Sequence, residues 1–368
     1  MNNSFGNIFR ITTFGESHGK GIGVVIDGCP AGLKVRVEDI QFELDRRRPG
    51  QSNITTSRKE RDCVEILSGI YQETTLGTSI ALLIKNSDAK TQSYNHLRDL
   101  YRPGHADYTY DCRYGFRDWR GGGRASARET AARVAAGAVA KLILKELINV
   151  ETLAWVNQIH HVHASVNMEN ITSELIENNA VRCPDSAATK EMESAIIKAK
   201  KGRNSVGGII KFKVNNCPAG LGAPIFNKLT AEIAKACMSI PATRNVSFGL
   251  GEKAAELTGY EHNDLFVIKE NNKIGTSSNN AGGVLGGISN GEVIYGSITF
   301  KPTATINKEQ ATVNCHGEEL TFKAGGRHDP CVLPRAVPIV EAMINLVLVD
   351  HVLLYAISNM ARLHKIFY

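Results

Sequence analysis

Apolar and polar positions alternate, or run continuously apolar, in five short stretches of the chain: Gly-Ile-Gly-Val-Val-Ile-Asp at 21–27, then 62–69, 78–84, 206–214 and 291–300. A period of two, or an unbroken apolar run bounded by turn residues, predicts strands there. A recurrence near 3.6 residues predicts helices over 38–47, 127–147, 187–201, 228–239 and 334–356. The helix opening near Ala127 has the fullest signature. Ser126 stands at the cap, Glu129 follows three residues on, and a run of alanines keeps the entropic cost of the helix low. Strands and helices interleave, so the class is mixed α/β (α+β). No Pro/Ser-rich linker or charge block divides the chain, which predicts one domain over 1–368. Cys-Pro-Ala-Gly-Leu occurs at 29–33 and again at 217–221, each time straight after a strand-like run. Pro-x-Gly is common turn chemistry, so the echo reads either as coincidence or as duplication of a strand–turn–helix unit.

The most apolar stretch, 336–357, carries Glu341, Asp350 and His351. Charges at those places suit a core helix better than a membrane span. The N-terminus has no basic start followed by an apolar core, so no signal peptide is expected. Eight cysteines are scattered without a CxxC pair, which removes zinc-ribbon and thioredoxin readings. Together these features predict reduced thiols and a cytoplasmic location.

Composition narrows the class further. With 368 residues, 42% hydrophobic, 22% charged and 34 glycines, the chain is neither disordered, collagen-like nor a small disulfide scaffold. It is long enough to bury a core unaided by metal or disulfide. The net charge of +6 suits a small acidic partner better than a nucleic acid or membrane surface.

Placement of the arginines says more than their number. Arg46, Arg47 and Arg48 are consecutive, and Arg102, Arg113, Arg117, Arg120, Arg124, Arg128 and Arg133 crowd one segment. Arginine suits bidentate recognition of carboxylate and phosphate. Arg120-Gly-Gly-Gly-Arg124 leads into the helix at Ser126, where backbone N–H groups and the helix dipole favour an anion. Neither nucleotide motif fits: Gly19-Lys20-Gly21 lacks the P-loop spacing, and Gly19, Gly21 and Gly23 precede a strand, not a helix. Three histidines, His18, His105 and His328, lie in loops framed by glycine or proline and beside acids, the setting of acid–base chemistry. His160, His161 and His163 lack neighbouring ligands and read as surface or interface residues; no metal site is expected.

At these residues the chain resembles the chorismate synthase family. The matching strings are GESHG (15–19), DRRRPG (45–50), RPGHADYTY (102–110), RGGGRASARET (120–130), AGGVLGGIS (281–289), KPT (301–303) and GRHDPC (326–331), spread over nearly the whole length. The resemblance implies a single-domain β-α-β sandwich with helices enclosed between sheets, assembled as a homotetramer. It implies a phosphate-eliminating lyase of aromatic amino-acid biosynthesis that converts 5-enolpyruvylshikimate 3-phosphate to chorismate. Reduced FMN is required without net redox change; NADPH serves only as the indirect electron source, through a separate flavin reductase. By the same resemblance His18, His105 and Asp329 are catalytic, and Arg47, Arg48 and Asn53 face substrate or NADP. Arg124, Ala125, Ser126, Pro241, Ala242, Gly286, Lys301, Pro302, Thr303, Ala304, Thr305 and Arg327 contact the flavin. Asn53 stands where many relatives have arginine, Ala125 replaces a common serine, and Pro241 replaces an asparagine found in some. Two other readings stay open on the sequence: a flavin reductase or other NAD(P)H oxidoreductase, and an RNA binder using the Arg-Gly-Gly-Gly-Arg stretch.

Overall fold

Every predicted strand and helix forms within three residues of its pattern in the computed structural model. The structure describes residues 3–52, 54–56, 60–87, 97–325 and 328–367. Along the first part of the chain come β1 (Ser4–Phe5), β2 (Arg10–Phe14), β3 (Gly21–Asp27), α1 (Val37–Arg47), β4 (Val64–Ser68), β5 (Ile70–Tyr71), β6 (Thr74–Thr75), β7 (Ile80–Lys85), α2 (Asp107–Tyr114) and α3 (Thr130–Ile148). The second part opens with β8 (Glu151–Ile159), β9 (Val162–His163), α4 (Ser173–Glu177), α5 (Ser186–Lys201), β10 (Gly208–Asn215), α6 (Leu229–Met238), β11 (Thr243–Phe248) and α7 (Gly259–His262). It continues with β12 (Phe266–Ile268), β13 (Ile274–Thr276), β14 (Val284–Leu285), β15 (Ile288–Ser289), β16 (Ile294–Phe300), β17 (Glu309–Val313), β18 (Glu319–Lys323), α8 (Leu333–Ile357) and α9 (Met360–Phe367).

Two five-stranded sheets result, ordered β1-β2-β3-β7-β4 and β11-β16-β10-β8-β9. Neighbours in both run antiparallel, with Val24 opposite Leu82 in one and Phe212 opposite Gly296 in the other. Helix α3 lies on β2, β3 and β7; α8 lies on β8 and β10; α3 and α8 pack against each other, with α1 and α6 beside them. The expected sandwich is therefore present, with a double layer of helix between the sheets.

The Cys-Pro-Ala-Gly-Leu echo is a structural duplication. The order β2-β3-β7-β4 repeats as β8-β10-β16-β11. Each copy follows its second strand with the echoed turn and a helix, α1 or α6, and ends in a long helix, α3 or α8. Even the turn bonds match. The Leu33 N–H donates to Thr75 Oγ1 (3.0 Å), which donates to the Pro30 carbonyl (2.6 Å). The Leu221 N–H donates to Ser289 Oγ (2.9 Å), which donates to the Pro218 carbonyl (2.6 Å).

Helix α8 is long and apolar enough to cross a membrane by composition, yet 83% of its most apolar window is buried inside the protein. Its charges are satisfied there, as buried charges must be. Asp350 accepts the N–H groups of Asn7 (2.9 Å), Ile8 (2.7 Å) and Phe9 (3.0 Å). Glu341 pairs with Arg46 (2.6 Å), which also holds Glu43 (2.6 Å) and Glu177 (2.8 Å). Where α3 crosses α8, a Cβ on Gly137 would fall 2.4 Å from Ala342 Cβ and 2.7 Å from its Cα. Glycine is what lets those two backbones approach.

Strand β8 carries no alternation that the sequence reading could detect. Both its faces are covered, one by α8 and the other by α4 and α5, so nearly every residue is buried.

Candidate active site

The duplication places a cavity of about 380 Å³ where equivalent segments of the two halves meet. Its volume is that of a small-molecule site. Three pairs of segments line it: the exits of α1 and α6, the connections β7–α3 and β16–α8, and the first turns of α3 and α8. The β2–β3 turn adds Ser17 and His18.

Guanidinium groups form one wall. Arg47, at the end of α1, donates through Nε to Thr130 Oγ1 (3.1 Å) and through Nη1 to Asp62 (3.0 Å), and its Nη2 donates to the Ala127 carbonyl. Asp62, fully buried and left-handed at φ 51°, bridges Arg47 to Arg128 on the first turn beyond Ser126. Arg335, on the first turn of α8, donates through Nε to the Arg47 carbonyl (3.1 Å) and pairs with Asp329. Burial, followed by repulsion from Arg335 and Arg128, brings Arg47 down from 12.5 to about 9 although Asp62 opposes both. Three guanidiniums thus face two carboxylates, a surplus that an anionic ligand would neutralise.

The three loop histidines all line this cavity. His18 shares a hydrogen bond with Ser17 Oγ through Nδ1 (3.0 Å). Its ring lies on Gly121, where an added Cβ would fall 2.4 Å from Cε1 and Nδ1. His105 lies on the next glycine, with its Cε1 3.3 Å from a Cβ built on Gly122. The Gly-Gly-Gly stretch is therefore the floor on which two imidazoles rest. His328 meets the Gly325 carbonyl through Nε2 (2.9 Å), and burial holds its imidazolium below the usual range. Asp329 accepts the Thr56 N–H (2.9 Å) as well as Arg335. Across the cavity Lys301 donates to the Gly104 carbonyl (3.0 Å), and burial, aided by Arg244, lowers its pKa. Among the described residues no His, Cys, Asp and Glu group is arranged to hold a metal.

Comparison with known proteins bears on what this cavity serves. A family model described as chorismate synthase matches residues 9–353. The chain belongs to the chorismate synthase family. Chorismate synthase of Acaryochloris marina (strain MBIC 11017) is 55% identical over 353 residues, covering 96% of this chain and 97% of the relative. That of Prochlorococcus marinus (strain MIT 9312) is 56% identical over 355 residues, with 96% and 97% covered. A crystal structure of chorismate synthase aligns with a TM-score of 0.74 at 31% identity, covering 99% of this chain and 97% of that one.

Most residues expected from the chorismate synthase resemblance line the one cavity: His18, His105, Asp329, Arg47, Ala125, Ser126, Pro241, Ala242, Lys301, Thr303, Ala304 and Thr305. Pro302 is not among the lining residues. Arg48 faces a neighbouring cavity with Glu60, Arg61 and Lys85, and pairs with Asp45 (3.4 Å). Gly286 sits at φ +60° in the exposed turn between β14 and β15. Asn53 and Arg327 lie outside the described residues.

Arg120 and Arg124, expected beside an anion at the helix start, are each held by other groups. Arg120 pairs with Asp118 (2.8 Å), and Arg124 donates to Thr13 Oγ1 (2.7 Å) and the Gly15 carbonyl (3.1 Å), lining an adjacent pocket. Arg47 and Arg128 occupy the helix start instead. Ser126 accepts the Arg128 N–H (3.2 Å) and caps a short 3₁₀ turn that precedes α3, while Glu129 pairs with Arg133 (2.6 Å). Sequence reasoning missed Asp62, Thr130, Arg244 and Arg335 as site residues. Arg335 alone left a trace, a cation six residues beyond Asp329 at a helix start.

Proposed function

We propose that this chain is a phosphate-eliminating lyase: it takes 5-enolpyruvylshikimate 3-phosphate to chorismate by 1,4-anti loss of phosphate and a ring proton, in the cytoplasm. One observation carries the reading. A fully buried Arg47 beside two further guanidiniums leaves positive charge that a substrate with one phosphate and two carboxylates would neutralise. As phosphate departs, negative charge develops on it, and fixed guanidiniums favour that charge more in the transition state than in the ground state.

The cavity also suits a flat cofactor. Its lining includes Gly104, Gly121, Gly122, Ala125, Ala242 and Ala304, and a Cβ on Gly104 would already approach Ala304 Cβ to 3.3 Å. Such small residues let backbone come close to a ring system. Ala125, Ser126, Pro241, Ala242, Lys301, Thr303, Ala304 and Thr305 would hold reduced FMN. When bound, that cofactor would lend electron density to the substrate ring, without net redox change. The chain's own groups handle the protons: His105 serves the departing phosphate, His18 the flavin side, and Asp329, steadied by Arg335 and the Thr56 N–H, relays the ring proton. We assign the chain as one catalytic domain working in a homotetramer. Its flavin arrives reduced by a separate reductase, with NADPH as the indirect electron source.

The test is direct. Purified protein, chemically reduced FMN and the enolpyruvyl substrate are combined anaerobically with no pyridine nucleotide. Stoichiometric release of phosphate and chorismate is expected; no phosphate release would end the lyase reading. In the same assay His105→Ala lowers turnover far more than flavin affinity.

A further inference from the structure

His105 does not stand alone in its loop. Arg102, three residues earlier, places Nη2 3.1 Å from His105 Nδ1. The same Nη2 donates to Asp107 Oδ1 (2.6 Å) and to the Gly121 carbonyl (2.7 Å). Asp107, the first residue of α2, also accepts from Arg102 Nε (2.7 Å) and the Arg102 N–H (3.0 Å), and its Oδ1 lies 3.4 Å from His105 Nδ1. Arg117 closes the cluster at 3.4 Å from the same oxygen. Asp107, Arg102 and Arg117 are all buried. Burial works to raise the Asp107 carboxyl, but hydrogen bonds from Arg102 and His105 outweigh it and hold it well below the usual carboxylate range.

Both Nη2 hydrogens of Arg102 are committed, one to Asp107 Oδ1 and one to the Gly121 carbonyl, so the nearby Nδ1 of His105 is left to carry its own hydrogen toward Asp107 Oδ1, 3.4 Å away. Held on that side, the ring keeps one orientation, and Nε2 is the nitrogen left for the cavity. We propose that Asp107, with Arg102 as its partner, is a positioning residue that fixes His105 so that Nε2, when protonated, faces the departing phosphate. This rests on the lyase reading above. In the transfer the Nε2–H bond breaks, its electron pair stays on Nε2, and the proton goes to a phosphate oxygen. The Nδ1–H remains against Asp107 Oδ1 throughout, so no ring rotation is needed before the next turnover. Through the Gly121 carbonyl the same guanidinium ties this loop to the turn on which His18 rests.

The experiment is a double-mutant cycle on the protein with reduced FMN. Asp107→Asn keeps the side chain's size and removes its charge. It is expected to lower kcat about 10- to 100-fold, the scale of misplacing a reacting group by up to about 1 Å, with KM and reduced-FMN affinity within about threefold. In a His105→Ala background the same change is expected to cost less than about twofold more, because its effect passes through a ring no longer there. Full additivity would overturn the proposal, as would a kcat unchanged in the single variant. If Asp107→Asn does not fold, Asp107→Glu, with its carboxylate one methylene further out, takes its place with the same criterion. A wild-type protein that releases no phosphate defeats the lyase reading. An active wild type with an additive cycle defeats this inference alone.

Discussion

Asp62→Asn changes one buried charge and almost no volume. The native carboxylate holds Arg47 through one oxygen and Arg128 through the other, and all three side chains are buried. With asparagine there, two guanidiniums stay in the interior near Arg335 with no anion between them. Removing one partner of a buried pair costs about 3–5 kcal/mol, against a total stability of about 5–15 kcal/mol. Urea unfolding followed by circular dichroism should show a lower midpoint with an unchanged slope. The dependence on pH carries a second check. Arg47 is held at about 9 in the fold against an ordinary 12.5, so between those values the unfolded chain binds the extra proton and native stability rises with pH. Loss of Asp62 lowers Arg47 further, so the variant's deficit should be largest near neutrality and narrow as pH approaches 9. A deficit under about 1 kcal/mol at pH 7, or one that does not vary with pH, would refute the account of the site as a cluster of under-compensated cations.

Three further outcomes follow from particular contacts. Gly121→Ala puts a methyl 2.4 Å from two atoms of the His18 ring at φ +75°, and turnover is expected to fall about 100-fold in a folded protein; steady-state kinetics beside a thermal melt would check both. Gly137→Ala gains about 1 kcal/mol in helix propensity, but the clash with Ala342 is expected to dominate, leaving a net loss of about 1–2 kcal/mol in denaturant titration. Asp107, whose carboxyl is depressed from 3.8, contributes stability that is present above that pH and lost as pH falls toward its folded value. The difference in stability between wild type and Asp107→Asn should therefore shrink between about pH 4 and pH 2, and a constant difference would sink the assignment.

The fold was legible wherever one face of an element meets water or where caps and turns mark its ends. Strand β3 and helix α1 fall within a residue of their patterns, because β3 ends on the exposed Asp27 and α1 carries the exposed Glu38 in its first turn. β8 was silent because it is buried on both sides. In the site, loop residues with special framing, such as His18 between Glu16 and Gly19 or His105 after Pro103-Gly104, could be read directly. Asp62 could not: nothing in Arg61-Asp62-Cys63 separates a surface acid from the carboxylate that bridges two arginines, since its partners lie 15 and 66 residues away. Arg120 and Arg124 misled for the converse reason. Their glycine neighbours looked like an anion cradle, but Asp118 and Thr13 claim them first.

A cavity lying where two like halves meet would, in a chain of two identical copies, look the same from either side. Here the copies have diverged unequally. The exit of α1 supplies the buried Arg47, whereas the matching exit of α6 supplies Ile240, Pro241 and Ala242. The β2–β3 turn, six residues long, delivers His18; its counterpart between β8 and β10 has grown into β9, α4 and α5 and delivers no residue to the lining. The second half brings its charges to the lining from other places, with Arg244, Lys301, His328, Asp329 and Arg335. Matching positions therefore present different groups, the pocket keeps no two-fold symmetry of its own, and an asymmetric ligand meets one fitting orientation in it instead of two.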